Sequence, residues 1–255
     1  MKFRGFAIAC AAGLAAYCQA TSAGLAENYF GLQIGGVFGA RGTNLNAMED
    51  LNYTGGSPNR HAATGSDIAF DPSPMVGIRF GRYFDSLPGF GVELTGQYTK
   101  LKFKRQDVTI TLQNTTVGGF SSFTEDQLPA DIHMLSGSMN VMYRFSQYGM
   151  VRPYIGAGPT LHAFVIRGSG DSCHIVAPAA LARGFCSGGE MVSKGTGLGF
   201  NVKAGVEVPL NDRLSLDLEY KFDYGRLSAD WFRSFSDITL NYSSSTVAAG
   251  LRVKF

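Results

Sequence analysis

The stretch Val247-Ala248-Ala249-Gly250-Leu251-Arg252-Val253-Lys254-Phe255 alternates at every step. Val247, Ala249, Leu251, Val253 and Phe255 fall on one face, and Ala248, Gly250, Arg252 and Lys254 on the other. A two-residue period marks a β-strand, because successive side chains leave opposite faces of the pleat. One face here is apolar throughout and ends on an aromatic ring; the other carries two cations. That pattern suits a sheet with hydrocarbon on one side and a polar interior on the other.

The same rhythm recurs upstream. Residues 28–39 put Phe30, Leu32, Ile34 and Phe38 on one face, and residues 74–84 group Val76, Ile78, Phe80 and Phe84. Residues 90–103 set Phe90, Val92, Leu94 and Tyr98 against Glu93, Thr95 and Gln97. Residues 131–145, 151–166 and 198–208 repeat the pattern, although Pro153 and Pro159 predict irregular pairing in the second of these. The run from Leu214 to Tyr224 alternates cleanly between apolar or aromatic residues and Ser215, Asp217, Glu219, Lys221 and Asp223. With the terminal stretch this predicts eight strands.

The connections alternate in length. Residues 85–89, 146–150 and 210–212 are short; residues 40–73, 104–130, 167–197 and 225–242 are long. Short turns at one end and long loops at the other are the habit of membrane barrels, with the turns periplasmic and the loops extracellular. Phe30, Phe84, Phe90, Phe145 and Phe255 would then form an aromatic girdle at the periplasmic rim, and Tyr98, Tyr220, Phe222 and Tyr224 lie toward the other. An open sheet edge in hydrocarbon leaves backbone groups unpaired at several kcal/mol each, so the first strand must close on the last. The expected fold is therefore all-β, an eight-stranded antiparallel up-and-down transmembrane barrel.

Eight strands leave an interior only wide enough for side chains. The inward parity collects Arg79, Glu93, Arg144, Lys203, Glu207, Asp217, Glu219, Lys221 and Arg252. Charges with little water around them must be paired, so a salt-bridge network filling the lumen is expected rather than an open pore.

The N-terminus predicts export. Lys2 and Arg4 precede an apolar run from Phe6 to Tyr17, and Thr21-Ser22-Ala23 supplies small residues for cleavage, after Ala23 or alternatively Ala20. Residues 1–23 are read as a secretory signal and residues 24–255 as one barrel domain. Losing Lys2 and Arg4 brings the 22 basic residues level with the 20 acidic ones, and no basic block suggests nucleic acid. Cys173 and Cys186 remain as an even pair in an exported chain, which implies a disulfide, two free thiols being the alternative. On the chain-entropy account, closing a loop of about 14 residues stabilises by roughly 3 kcal/mol.

Arg152-Pro-Tyr-Ile-Gly-Ala-Gly-Pro159, Arg213-Leu-Ser-Leu-Asp-Leu-Glu-Tyr220 and the terminal Gly250-Leu-Arg-Val-Lys-Phe255 resemble the OmpA-like and opacity-protein-like group of eight-stranded outer-membrane barrels. The resemblance implies a Gram-negative outer membrane, insertion by a barrel-assembly machinery that reads Val247, Leu251, Val253 and Phe255, and roles in envelope integrity, adhesion or small-solute passage. The chain departs from the full OmpA pattern in having no peptidoglycan-binding domain after Phe255.

Some small outer-membrane barrels are lipid hydrolases, which need a nucleophile, a base and an orienting group. His61 and His174 fall in long connections, His133 near the outer rim, and His162 points inward beside Thr160; no His-x-Ser pair occurs. No catalytic set, cofactor motif or metal constellation is predicted. Phe120, Phe123, Trp231, Phe232 and Phe235 place aromatics in the long connections, as contacts for a partner or lipopolysaccharide, or as a lid over the barrel. The expected function is structural and interactive, through surface loops of a monomer. A narrow channel and a lipid hydrolase are the alternatives.

Overall fold

A computed structural model describes residues 27–51, 59–104, 106–114, 120–126, 130–145, 150–168, 191–231 and 235–255. The described residues form strands β1 (Glu27–Leu51), β2 (Asn59–Gly65), β3 (Ile68–Ala69), β4 (Ser73–Tyr83), β5 (Phe90–Lys102), β6 (Asp107–Asn114) and β7 (Phe120–Asp126). β8 (Ala130–Arg144), β9 (Arg152–Gly168), β10 (Met191–Pro209), β11 (Leu214–Trp231) and β12 (Phe235–Lys254) follow.

Eight of these close a ring in which every pair is antiparallel. β1 pairs β4, then come β5, β8, β9, β10, β11 and β12, and β12 returns to β1 with Tyr29 opposite Lys254 and Gly36 opposite Val247. The terminal alternating stretch therefore seals the barrel, and no strand edge is left open to hydrocarbon at that seam.

The long connections predicted by spacing are partly strand. β1 runs on to Leu51, well past residue 39, and β2 folds back against it, Leu45 opposite Gly65. β6 pairs β2 and β7 pairs β6, so a side sheet grows from the upper end of β1. β11 and β12 continue as one long hairpin through most of residues 225–242. What hid this continuity is irregular backbone. The β1–β12 register shifts between Phe38 and Arg41 and again between Thr43 and Asn46. Gly39 (φ 57°) and Asn44 (φ 53°) adopt the left-handed conformation at these bulges. Sequences rich in Gly and Asn read as turns, yet here they bend a strand without ending it.

Pairing register lays side chains out in horizontal rows. On the outer face, Val92 of β5 neighbours Val141 of β8, which neighbours Ala157 of β9 and then Val202 of β10. Ile34 (68% exposed), Met139 (57%) and Leu198 (64%) show that these large apolar side chains point out of the barrel. A soluble sheet would bury them; a hydrocarbon solvent does not require it.

Higher up, the pattern turns inside out. β5 presents Tyr98, Lys100 and Lys102 outward and buries Leu101, and Phe103 just past the strand is buried as well. β8 buries Ile132 and Met134 while Asp131 and His133 face out; β9 buries Phe164 and Ile166, and β11 buries Leu227 and Ala229. The expectation of an ionic lumen from end to end is thus corrected: the upper interior is an apolar core joining Val37, Phe70, Leu101, Phe103, Ile132 and Phe164.

Candidate functional site

The lower interior is an ionic stack. Arg79 comes from β4, whose even-numbered neighbours Val76, Ile78 and Phe80 point to lipid, so parity drives the guanidinium inward. Its Nη1 donates to Asp217 Oδ2 at 2.7 Å and lies 3.3 Å from Glu219 Oε2, while Nη2 donates to Gln33 Oε1. Lys203 Nζ binds Glu93 Oε1 and sits 3.3 Å from Glu219. Arg252 reaches Asp217 at 3.2 Å and Glu207 at 3.5 Å. Lys221 pairs Asp223 at 3.0 Å and donates to Gln97.

Two tyrosines wedge this stack. Tyr29 OH donates to Glu93 at 2.6 Å, and Tyr154 OH lies 2.9 Å from Asp217 and 3.0 Å from Glu219. Arg252 lies between their rings, 4.9 and 4.5 Å from the two centroids, so its charge also faces π-electrons. Room for Tyr29 depends on Gly81 across the strand, where a Cβ would come within 2.2 Å of the ring. At the lower rim Glu207 gathers Lys254 (2.8 Å) and the Ser215 hydroxyl (2.8 Å), and Arg144 binds Glu27 at 2.5 Å while covering the Tyr83 ring at 4.0 Å.

All nine charged residues singled out by inward parity line this interior; eight are buried and Arg144 is half-buried at the rim. Sequence reasoning left out Glu27, Tyr29, Gln33, Tyr154, Asp223 and Lys254. Parity already turned Tyr154, Asp223 and Lys254 inward; Glu27 and Tyr29 sit at a strand start, where the rhythm has too few residues to phase.

Above the ions comes a neutral polar layer. Ser136 Oγ and His162 Nδ1 are 2.8 Å apart, brought together because β8 and β9 pair Ser136 opposite His162. No local motif could reveal this pair, since its members lie on different strands. His162 Nε2 is buried without a hydrogen-bond partner among the described residues, and the ring stands edge-on to Tyr242. A cavity of about 10 Å³ touches Ser136, His162, Asp223 and Tyr242. The apolar core above encloses a second of about 40 Å³, lined by Leu45, Phe70, Phe103, Ile132, Phe164 and Ile238 among others. Neither is lined by Arg79, Glu93, Glu207, Glu219 or Arg252 of the ionic stack, which are fully buried.

The outer surface carries the girdles. Phe90, Tyr143 and Phe145 pack edge to face at 4.9 and 5.0 Å, and Phe80 meets Phe255 at 6.1 Å. Val247, Leu251, Val253 and Phe255 face outward on the sealing strand. Tyr98 OH bonds His133 Nδ1 at 2.7 Å near the upper boundary. His61 lies in β2 rather than in a loop. Phe120 and Phe123 belong to β7, Trp231 ends β11 and Phe235 opens β12, so these aromatics are placed on strands and not in loops. Phe232, Cys173, Cys186, His174 and residues 1–23 lie outside the described residues. No group of three or more His, Cys, Asp or Glu suited to a metal occurs among the described residues.

Neisserial surface protein A is 16% identical over 89% of this chain and 97% of its own, with a TM-score of 0.45. The outer membrane protein OprG from Pseudomonas aeruginosa is 16% identical over 89% and 96%, with a TM-score of 0.41. The outer membrane protease OmpT from Escherichia coli is 9% identical over 89% and 97%, with a TM-score of 0.39. A search of curated proteins finds no match. The family model for the outer membrane protein β-barrel domain matches residues 6–255, and with a sealed eight-strand ring, a lipid-facing apolar band and an ionic interior the chain belongs to that family of bacterial outer-membrane barrels.

Proposed function

We propose that this barrel is a closed outer-membrane anchor that carries a rigid β-platform beyond the lipid, serving envelope integrity and surface contact such as adhesion. The observation that carries the reading is the reversal of polarity along single strands. Ions fill the barrel at lipid height, so the fold is built to be stable there and not to conduct. Above that height the same strands enclose an apolar core and turn charges outward, which is how a sheet is built to stand in water. The side sheet β1–β2–β6–β7 enlarges the platform. Partners in this reading are outer-membrane lipid and lipopolysaccharide, the barrel-assembly machinery during insertion, and a ligand on a host or neighbouring cell; the protein works as a monomer, with no nucleic acid. A disulfide between Cys173 and Cys186 would stiffen the segment they share.

Deleting residues 107–126 from the protein on intact cells tests this. Cell contact or envelope resistance should fall while the shortened protein keeps heat-modifiable migration. Unchanged contact and resistance would overturn the platform reading. Stepwise conductance of the wild-type protein in planar bilayers would replace it with a channel.

Lipid hydrolysis has one observation in its favour, the Ser136–His162 contact. Both groups are buried in the lumen, Ser136 at 7% and His162 at 3% exposure, and away from the lipid face. Fatty-acid release from labelled lipopolysaccharide that vanishes in Ser136→Ala would establish it.

A further inference from the structure

The outer face of β5, β8, β9 and β10 changes character over a single step. Along one row, Lys100 neighbours His133, His133 neighbours Val165, and Val165 neighbours Lys194. One row higher, Lys102, Asp131, Arg167 and Val192 follow one another across the same strands. Lys102, Arg167 and Lys194 are exposed and make no ion pair with the described residues; Lys100 binds Asp131 at 2.6 Å. Four cations therefore stand among one histidine and two carboxylates, Asp131 and the Asp230 of β11 that is paired opposite Lys194. Immediately below lie Tyr98, Leu135, Ala163 and Thr196, and below these Gly96, Gly137, Leu161 and Leu198.

Across the next strand the lower cation row meets a carboxylate, because Asp230 of β11 is the register partner of Lys194. Below that row β12 turns Thr239, Asn241 and Ser243 outward, and single exposed cations stand on β11 (Arg226) and β1 (Arg41). Among the described residues the outward cations are thus densest on β5, β9 and β10. Snorkelling, in which a long basic side chain lifts its charge out of the apolar band, explains single lysines at a boundary. It does not explain a cluster that raises its own electrostatic energy over four adjacent strands.

We propose that this face binds the phosphorylated disaccharide of lipid A, the membrane end of lipopolysaccharide, with Lys100, Lys102, Arg167 and Lys194 as its phosphate ligands. Three features identify the ligand. The cations sit directly on top of an apolar wall, so the matching anion must be joined directly to acyl chains. Four strands at the usual spacing cover about 14 Å, enough to meet phosphates at both ends of a disaccharide and more than one glycerophospholipid phosphate needs. Gly96 and Gly137 are paired opposite each other on the outward face, and a Cβ on Gly137 would meet nothing within 4 Å. The wall is therefore recessed one row below Tyr98 and Leu135, and an acyl chain fits against it. The site names the lipid partner of the platform reading and rests on its orientation; cell contact and lipid binding are measured separately, so either can fail alone.

The test uses the full mature chain folded in phosphatidylcholine nanodiscs, titrated with bisphosphorylated lipid A and read by native mass spectrometry and by the temperature at which compact migration is lost. Bisphosphorylated lipid A should bind more tightly than monophosphorylated lipid A and raise that temperature; phosphatidylglycerol at matched charge should do neither. Arg167→Ser and Lys194→Ser should each weaken binding about fivefold, the effect of one cation at a membrane surface, and Arg213→Ser at the opposite end should leave it unchanged. Equal affinity for phosphatidylglycerol, or full binding by the Arg167→Ser/Lys194→Ser double variant, overturns the proposal. Should a variant fail to fold, the wild-type salt dependence decides: affinity for bisphosphorylated lipid A that does not fall with rising salt also overturns it.

Discussion

At the height of Glu93 and Asp217 the barrel is ionic inside and apolar outside; at the height of Phe103 and Ile132 the same strands are apolar inside and carry Lys102 and Asp131 outside. One backbone geometry serves both regions, because a closed ring satisfies its own hydrogen bonds in either solvent. What differs is the partner of the outer face. Lipid solvates Leu94 and Val141, so the interior must take the polar residues. Water solvates Lys102 and Arg167, so the interior is free to be a conventional core. The boundary is marked inside by Ser136 and His162 and outside by Tyr98 and His133.

The contrast predicts that the two regions fail differently. Asp217 holds both Arg79 and Arg252. Asp217→Leu leaves two guanidinium groups short of a counter-charge in a space without much water, which costs about 3–5 kcal/mol. Urea unfolding from lipid vesicles should show this as a large fall in midpoint, and loss of the whole barrel rather than of its upper end. A midpoint within error of wild type would mean that the ionic stack is slack.

On the outer face the same reasoning distinguishes two positions eight residues apart on one strand. Leu94→Arg places a charge in the apolar band and should destabilise by about 2–4 kcal/mol. Lys102→Leu stands above the band and should change stability by no more than about 0.5 kcal/mol. Equal effects at the two sites would erase the boundary.

Inside the upper region, Leu101 is 1% exposed and borders the 40 Å³ cavity. Leu101→Ala should cost about 2 kcal/mol, the low end of the range for such truncations, because space already exists there and its lining relaxes into it. Limited proteolysis should open the upper strands while compact, heat-modifiable migration persists. Collapse of the entire barrel would show the two regions to be one cooperative unit.

The lower region was legible in the sequence because one environment lasts long enough to set a phase. In β11 every even position from Leu216 to Tyr224 is apolar or aromatic and every odd one polar. The upper region was written there too, as a phase slip. Apolar and aromatic residues of β5 occupy even positions up to Tyr98 and the odd one at Leu101, continued by Phe103 just past the strand; in β12 the inward Ile238 and Tyr242 are even, as is the half-buried Leu240, where the lipid-facing Val247, Leu251 and Val253 are odd. Read with a single period, the slip looks like the end of a strand. The Ser136–His162 contact was illegible for a different reason: it needs the register between β8 and β9, which no single-strand pattern contains.

The smallest effect falls on the boundary itself. Tyr98 is 41% exposed and its hydroxyl bonds His133 Nδ1 at 2.7 Å across the β5–β8 pair. Tyr98→Phe keeps the ring at the lipid edge and removes only that bond, so the expected loss is about 0.5–1 kcal/mol. The ring that remains is apolar and lacks the polar handle that anchors an aromatic side chain where hydrocarbon meets water. If the inside-out reversal marks the membrane surface, the loss should appear in lipid vesicles and shrink in a detergent micelle, whose boundary adapts to the protein. The same loss in both media would make Tyr98–His133 an ordinary cross-strand contact and would move the lipid boundary away from this row.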